Sequence, residues 1–353
     1  MGPKFSNFLI MPFLWSSTSI SIRLSRKILD FCRNKFDKND PRAELSYKES
    51  ELFHNWVSGD RANKKRYDDE LINQNLNYGD FFVPLVFIVF YGRMHIEGGW
   101  FDEAGEMVNK LSEIADVYDY EHAREEKYHL SIPLLLKCRK LHEALIEIEE
   151  GIPVQIKIGG PIHVNESYSL KAQAEILLGD MEEAKKSLEN ALEYESAVHG
   201  LNLWQSHFLL AQAIFSLQKL EETKNLGIKH EFTKASKTTL KYSRKVVKNS
   251  KKVAPARTEA LRLLGSCYWL TGKQQKSLIW WNKSVKEGER LNARLELSRT
   301  YMEIGKRLLE PGSKYKDLNG ISAEEYLEKA RTMFEDMDLQ WDLDELDKIV
   351  ASR

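Results

Sequence analysis

Nine histidines and three cysteines are the side chains of this 353-residue sequence best suited to metal or nucleophilic chemistry, and their spacing gives them little to work with. A metalloprotease helix carries HExxH, which sets two imidazoles one turn apart around a general base; the chain has no such segment. His122 and His129 lie seven apart, close enough to share a helix face, but the sequence offers them no third ligand. Gly265 to Gly272-Lys273 invites comparison with a phosphate loop, yet the spacing is wrong and Gln274 stands where a Mg²⁺-binding hydroxyl is needed. Gly159-Gly160-Pro161 has too few glycines for a dinucleotide turn. The carboxylate pairs Glu182-Glu183, Glu221-Glu222 and Glu324-Glu325 each fall in the first turn of an expected helix, where the helix dipole accounts for them. The sequence therefore implies no catalytic residue, no cofactor, no metal and no enzyme.

The densest charge pattern is cationic. Lys229 to Lys252 holds nine lysines and arginines against one acid, Glu231. Steps of three and four place Lys234, Lys237, Lys241, Arg244, Lys245 and Lys248 on one helical stripe, with Ala235, Tyr242 and Val246 opposite. Two readings stay open: a solvated face, or a docking stripe for an acidic partner. Seven acids and no base between Glu335 and Asp347 show what such a partner would look like. Overall, 52 basic residues balance 53 acidic ones for a net charge of −1, which argues against a dedicated nucleic-acid binder.

Cys32, Cys138 and Cys267 are far apart and form no CxxC pair, so a reducing, cytoplasmic setting is expected. The apolar runs Phe8 to Trp15 and Phe81 to Tyr91 are broken by Pro12 and Pro84 and are too short for a membrane span. They read as buried helix. Met1-Gly2 with Ser6 fits the myristoylation pattern only formally, with Pro3 beside the glycine.

These residues need elements to hold them, and the elements repeat. Gly99-Trp100-Phe101-Asp102-Glu103-Ala104, Arg139-Lys140-Leu141-His142-Glu143-Ala144, Gly179-Asp180-Met181-Glu182-Glu183-Ala184, Gln218-Lys219-Leu220-Glu221-Glu222-Thr223 and Gly272-Lys273-Gln274-Gln275-Lys276-Ser277 are spaced by 40, 40, 39 and 54 residues. Glycine admits the left-handed turn that ends a helix, acids suit the next helix start, and the small fifth residue lets two helices touch. Seven before the turn another small residue recurs (Gly92, Ala172, Ala211, Gly265 and Ser298), with Ile132 as the exception. The pattern predicts helix pairs at 43–77, 80–117, 122–151, 164–198, 202–248, 256–290 and 292–337, and a last helix near 340–350. Gly99, Gly179, Gly272 and Gly305 are expected to end first helices. Residues 1–42 form a preceding helical segment, and inserts fall near 226–254 and 310–321.

Thr258 to Leu291 resembles a tetratricopeptide repeat, with Leu261, Leu264, Gly265, Tyr268, Gly272, Ser277, Trp281 and Ser284 at the motif's positions. The near-40-residue period is similar to that of C-terminal solenoids in signalling ATPases, the maltose-activator-like regulators and the class III adenylate and guanylate cyclases fused to AAA-type ATPase modules. Ala293 to Tyr301 with Gly305 resembles their penultimate helix. Ala323 to Arg331, Met333 to Met337 and Trp341 resemble their closing hairpin. The chain carries neither a Walker motif nor a cyclase domain, so the enzymatic activity is not implied. What the resemblance implies is an all-α, right-handed superhelical solenoid of antiparallel hairpins. Its first helices line a concave groove through positions three, six and ten before each turn. Gln173, Phe208, Gln212, Phe215, Arg262, Trp269 and Arg299 would then meet a peptide or protein segment. The resulting expectation is a non-enzymatic scaffold in a signalling assembly; the alternative is the separated regulatory part of a nucleotide cyclase or signalling ATPase.

Overall fold

The computed structural model describes residues 22–351, apart from 34, 36, 38 and 61–66. Phe8 to Trp15 and Met1-Gly2 lie outside the described residues. Helices α1 (Ile22–Arg33), α2 (Pro41–Ser58), α3 (Asp69–Asn77), α4 (Phe82–Gly98), α5 (Phe101–Val117) and α6 (Glu121–Lys137) lead into α7 (Leu141–Lys157), α8 (Pro161–Leu178), α9 (Met181–Glu193) and the single turn α10 (Glu195–Val198). Then come α11 (Asn202–Leu226), α12 (Lys229–Ser250), α13 (Arg257–Leu270), α14 (Gln274–Leu291), α15 (Arg294–Leu308), α16 (Ala323–Asp336) and α17 (Gln340–Ala351). Each first helix packs on its successor: α4 on α5, α6 on α7, α8 on α9, α11 on α12, α13 on α14 and α15 on α16. The fold is a tetratricopeptide-like solenoid of antiparallel hairpins.

Local chemistry sets the ends. Asp40, Asp68 and Asp180 accept backbone N–H groups at the starts of α2, α3 and α9, and Ser322 with Glu325 forms a capping box on α16. Gly99, Gly179 and Gly272 take φ of 76°, 85° and 76° just past their helices, as the repeat pattern requires. Gly305 does not. It sits inside α15, where a Cβ would lie 2.6 Å from Leu327 Cγ, so its smallness admits α16 and ends nothing. The small residues seven before the turn are contact points of the same kind: a Cβ on Gly265 would meet the Trp281 indole at 2.4 Å.

The expected turn at Gln218 is also absent. No glycine occurs from Gln218 to Leu226, and α11 runs on to Gly227, whose φ is 71°. The basic segment is then the second helix of that hairpin, α12, packed along α11. After α15, β1 (Asp317–Leu318) and β2 (Ile321–Ser322) form a two-stranded antiparallel ladder about Asn319-Gly320, whose φ values of 58° and 77° suit a tight hairpin turn. None of the described helices is long and apolar enough to cross a membrane.

The superhelix closes on itself. The Ala254 N–H donates to Val57 O at 2.9 Å, and Arg290 Nη1 donates to Gly59 O at 3.2 Å. Gly59 leaves no room for a Cβ beside Leu291 and Ala254. Helix α4 touches α15, and Phe101 packs against both the core built by α2–α6 with α11–α13 and the core built by α13–α17. Early and late hairpins therefore face one another across a narrow interior.

Candidate functional site

That interior is held by charge. Lys137 on α6 reaches Glu259 of α13 at 3.0 Å and Glu296 of α15 at 2.6 Å. Arg262 joins the same two glutamates at 3.3 and 2.9 Å. Arg299 grips Asp342 of α17 through Nε and Nη2, both at 2.9 Å, and its Nη2 also donates to Lys137 O at 2.8 Å. Burial alone would lower the Lys137 and Arg299 pKa values and raise that of Asp342; the opposite charges more than offset it, holding both cations above and Asp342 below their ordinary ranges. Arg307, likewise, is ringed by Glu221, Glu303 and Glu310, and Glu303 is held down to about 2 despite its burial.

Toward the early repeats a second node centres on Glu166 of α8. Arg93 bonds its Oε1 at 2.5 Å, while His129 and His207 stand 3.2 and 3.3 Å from its oxygens. Burial would lower His129, but Glu166 and Glu126 outweigh that and raise it to about 9. His207 is lowered to about 4, by burial first and then by the positive charges of Arg93 and His129, against the pull of Glu166.

Between these two nodes lies a largely apolar cavity that opens to solvent. Leu136, Leu170, Leu203, Leu210, Ala256 and Leu295 supply its apolar wall. Arg93, Lys137, Gln173, His207, Glu259 and Glu296 supply polar atoms from six first helices. An apolar chamber with a few converging polar groups is the form that small-ligand and peptide-anchor sites take.

Of the expected groove residues, Gln173 lines this space. Arg262 and Arg299 are on the inner face but tied to Glu296 and Asp342. Phe208 and Trp269 are corrections: at 1% and 2% exposure they are core, and the Trp269 indole N–H donates to Glu310. Gln212 and Phe215 are half-buried and lie outside the cavity wall, with Lys219 over the Phe215 ring. Both were placed by counting back from a turn at 218 that does not exist. The same count applied to the turns at Gly99 and Arg139 lands on Arg93, Ile96, Pro133 and Leu136, all of which line the cavity. That signal was present in the sequence. The ion pairs were not readable, because Lys137 and Glu296 are 159 residues apart.

On the outer surface, Lys234, Lys237, Lys241, Arg244, Lys245 and Lys248 are all exposed, while Thr239, Ser243, Val246 and Ser250 face α11 and α13. Arg244 donates to the Tyr268 hydroxyl at 3.1 Å.

No protein family matches the chain by sequence, and no curated protein matches it. Among solved structures it is similar to a Rap protein complexed with competence and sporulation factor, with a TM-score of 0.57 and 13% identity over 99% of this chain and 97% of that one. It also aligns with a STAND signal-transduction ATPase with a tetratricopeptide repeat sensor from Pyrococcus horikoshii, at a TM-score of 0.40 and 14% identity; 96% of this chain spans about half (51%) of that protein. A circular tandem repeat protein aligns at a TM-score of 0.26 and 12% identity. The first of these likenesses and the hairpin architecture define the class: a tetratricopeptide-like helical repeat protein.

Proposed function

We propose that this chain is a non-enzymatic interaction scaffold that takes a short peptide or a protein segment into its central cavity. The observation that carries the reading is the chamber itself, a largely apolar space lined by first helices of six hairpins and edged by Arg93, Gln173 and His207. An apolar side chain would enter between Leu170, Leu203 and Leu210, and the polar groups would bond the peptide backbone or a terminus. The similar Rap protein was solved in complex with competence and sporulation factor, which supports a ligand-binding role for this fold. A regulatory place in a signalling assembly fits the C-terminal block, Ala293 to Tyr301 and Ala323 to Trp341. The alternative, a separated regulatory part of a nucleotide cyclase or signalling ATPase, rests on that same block.

The test is selection from a random peptide library on the intact chain, followed by affinity measurement on variants. Ala256→Phe, which fills the chamber, and Gln173→Ala should each weaken the selected peptides at least tenfold. Peptides that bind both variants as tightly as the parent protein would overturn the cavity as the site. Reversing Lys241, Lys245 and Lys248 together separates the other reading: an acidic partner of α12 would associate more slowly and lose its salt dependence.

A further inference from the structure

The first two turns of α6 bring together groups that the cavity does not use. One donor atom each from His122, Glu125 and Glu126 lies within 4.8 Å of the other two. Glu125 is 0% and Glu126 5% exposed. Each carboxylate is held at one oxygen by a different histidine. His163, from the first turn of α8, bonds Glu125 Oε1, and His129 Nδ1 lies 3.0 Å from Glu126 Oε2. The remaining oxygens turn toward His122, with Nδ1 3.5 Å from Glu125 Oε2 and Nε2 3.8 Å from Glu126 Oε1. Glu125 Oε2 is buried and has no hydrogen-bond partner. Among the described residues no lysine or arginine forms an ion pair with either carboxylate.

Two buried carboxylates therefore converge on one imidazole, with an orphan oxygen between them; among the described residues only histidines pair with them, His163 with Glu125 and His129 with Glu126. One nitrogen and two carboxylate oxygens, with positions left for water, make a donor set that suits Zn²⁺ and its first-row neighbours. We propose that the chain binds one divalent cation of this class through His122, Glu125 and Glu126, with His163 and His129 as positioning residues for the two carboxylates. Metal-bound carboxylates are characteristically held in this way by a second ring of hydrogen bonds. Donor atoms around a tetrahedral Zn²⁺ with bonds of about 2.0–2.1 Å are about 3.3 Å apart; one ring nitrogen of His122 and one oxygen of each carboxylate already lie within 4.8 Å of one another, and side-chain rotation would close the set. His122 has a side-chain exposure of 30% and provides the entry from solvent, and its ring lies nearly parallel to Phe82, 10° apart at 6.1 Å. The sequence shows His122 and His129 seven apart; the fold adds the carboxylates between them and His163 from 34 positions beyond His129. A bound ion would fasten the start of α6 to that of α8 through the His163–Glu125 contact. The proposal is independent of what enters the central cavity.

The experiment is calorimetric titration of the intact, chelator-stripped chain with ZnCl₂ at neutral pH, paired with thermal melts. One ion per chain should bind with micromolar affinity or better and raise the melting temperature. His122→Ala removes a partly exposed ring and leaves the core whole, and Glu126→Gln removes one charge at constant shape. Each should lower the affinity at least tenfold and abolish the thermal shift, while His230→Ala at an exposed position should change neither. Absence of binding to the parent chain would overturn the proposal. So would parent-like affinity in a folded His122→Ala variant, which would mean adventitious binding by surface histidines.

Discussion

Helix α12 and the inner face of the solenoid are both rich in charge, and they use it in opposite ways. On α12 six cations stand exposed along a second helix, with Lys241 and Lys245 flanking Tyr242. On the inner face Lys137, Arg262, Arg299 and Arg307 are pinned by carboxylates from other hairpins. Water screens the outer charges, so each contributes little to folding and stays free for a partner. The inner charges have exchanged water for one another, and removing one strands its mate in a low-dielectric interior. The comparison teaches that net composition says little here: near-neutral totals hide one helix of exposed cations and one inner face of buried ion pairs.

The comparison breaks most readily at Asp342. Asp342→Ala would strip the buried Arg299 of its two-pronged counter-ion and leave it Glu296 at 3.7 Å, and denaturant unfolding should show a loss of about 3–5 kcal/mol. An unchanged midpoint would mean that the inner pairs are no tighter than surface ones.

Glu49 on α2 sharpens the contrast, since it is a buried carboxylate with, among the described residues, only the Ser50 hydroxyl at 3.1 Å to help it. Burial pushes its pKa up to about 8. Below about pH 4 the folded and unfolded chains both keep this proton. From there to about pH 8 only the unfolded chain releases it, so stability falls as pH rises; above that the loss is constant. Glu49→Gln should therefore stabilise the protein by roughly 2–4 kcal/mol at pH 7 and hardly at all at pH 4. Equal effects at the two pH values would contradict the assignment.

A smaller effect is expected where the hairpins touch. Gly265→Ala would drive a methyl into the Trp281 indole, and chemical denaturation should register a loss of about 1–3 kcal/mol. The smallest belongs to α12: reversing Lys241, Lys245 and Lys248 should cost no more than about 0.5 kcal/mol each. A larger loss in that triple variant would place those lysines in the fold rather than on a free surface.

The parts of this fold that are local chemistry could be read from the residues. Gly99, Gly179 and Gly272 announce turns because few other residues adopt a positive φ, and the small residues at fixed offsets announce close packing. Gly305 misleads because smallness serves two purposes, and here it serves contact with Leu327. Gln218 misleads because the motif's side-chain pattern there lies inside a helix that continues to Gly227. For the site, Gln173 follows from its offset before Gly179, but Phe208 and Trp269 do not behave as counted. Which inner side chain meets water depends on how neighbouring hairpins tilt and on closure between α4 and α15, contacts made across some two hundred residues of sequence.

The central claim is that the ligand enters between the first helices and not along α12. Hydrogen exchange on the intact chain, with and without a library-selected peptide, tests it most directly. The account predicts added protection in α4, α6, α8 and the start of α13 around Arg93, Lys137, Gln173 and Glu259, with α12 unchanged. Protection confined to Lys234 through Lys248 would contradict it and make the outer cationic stripe the binding surface.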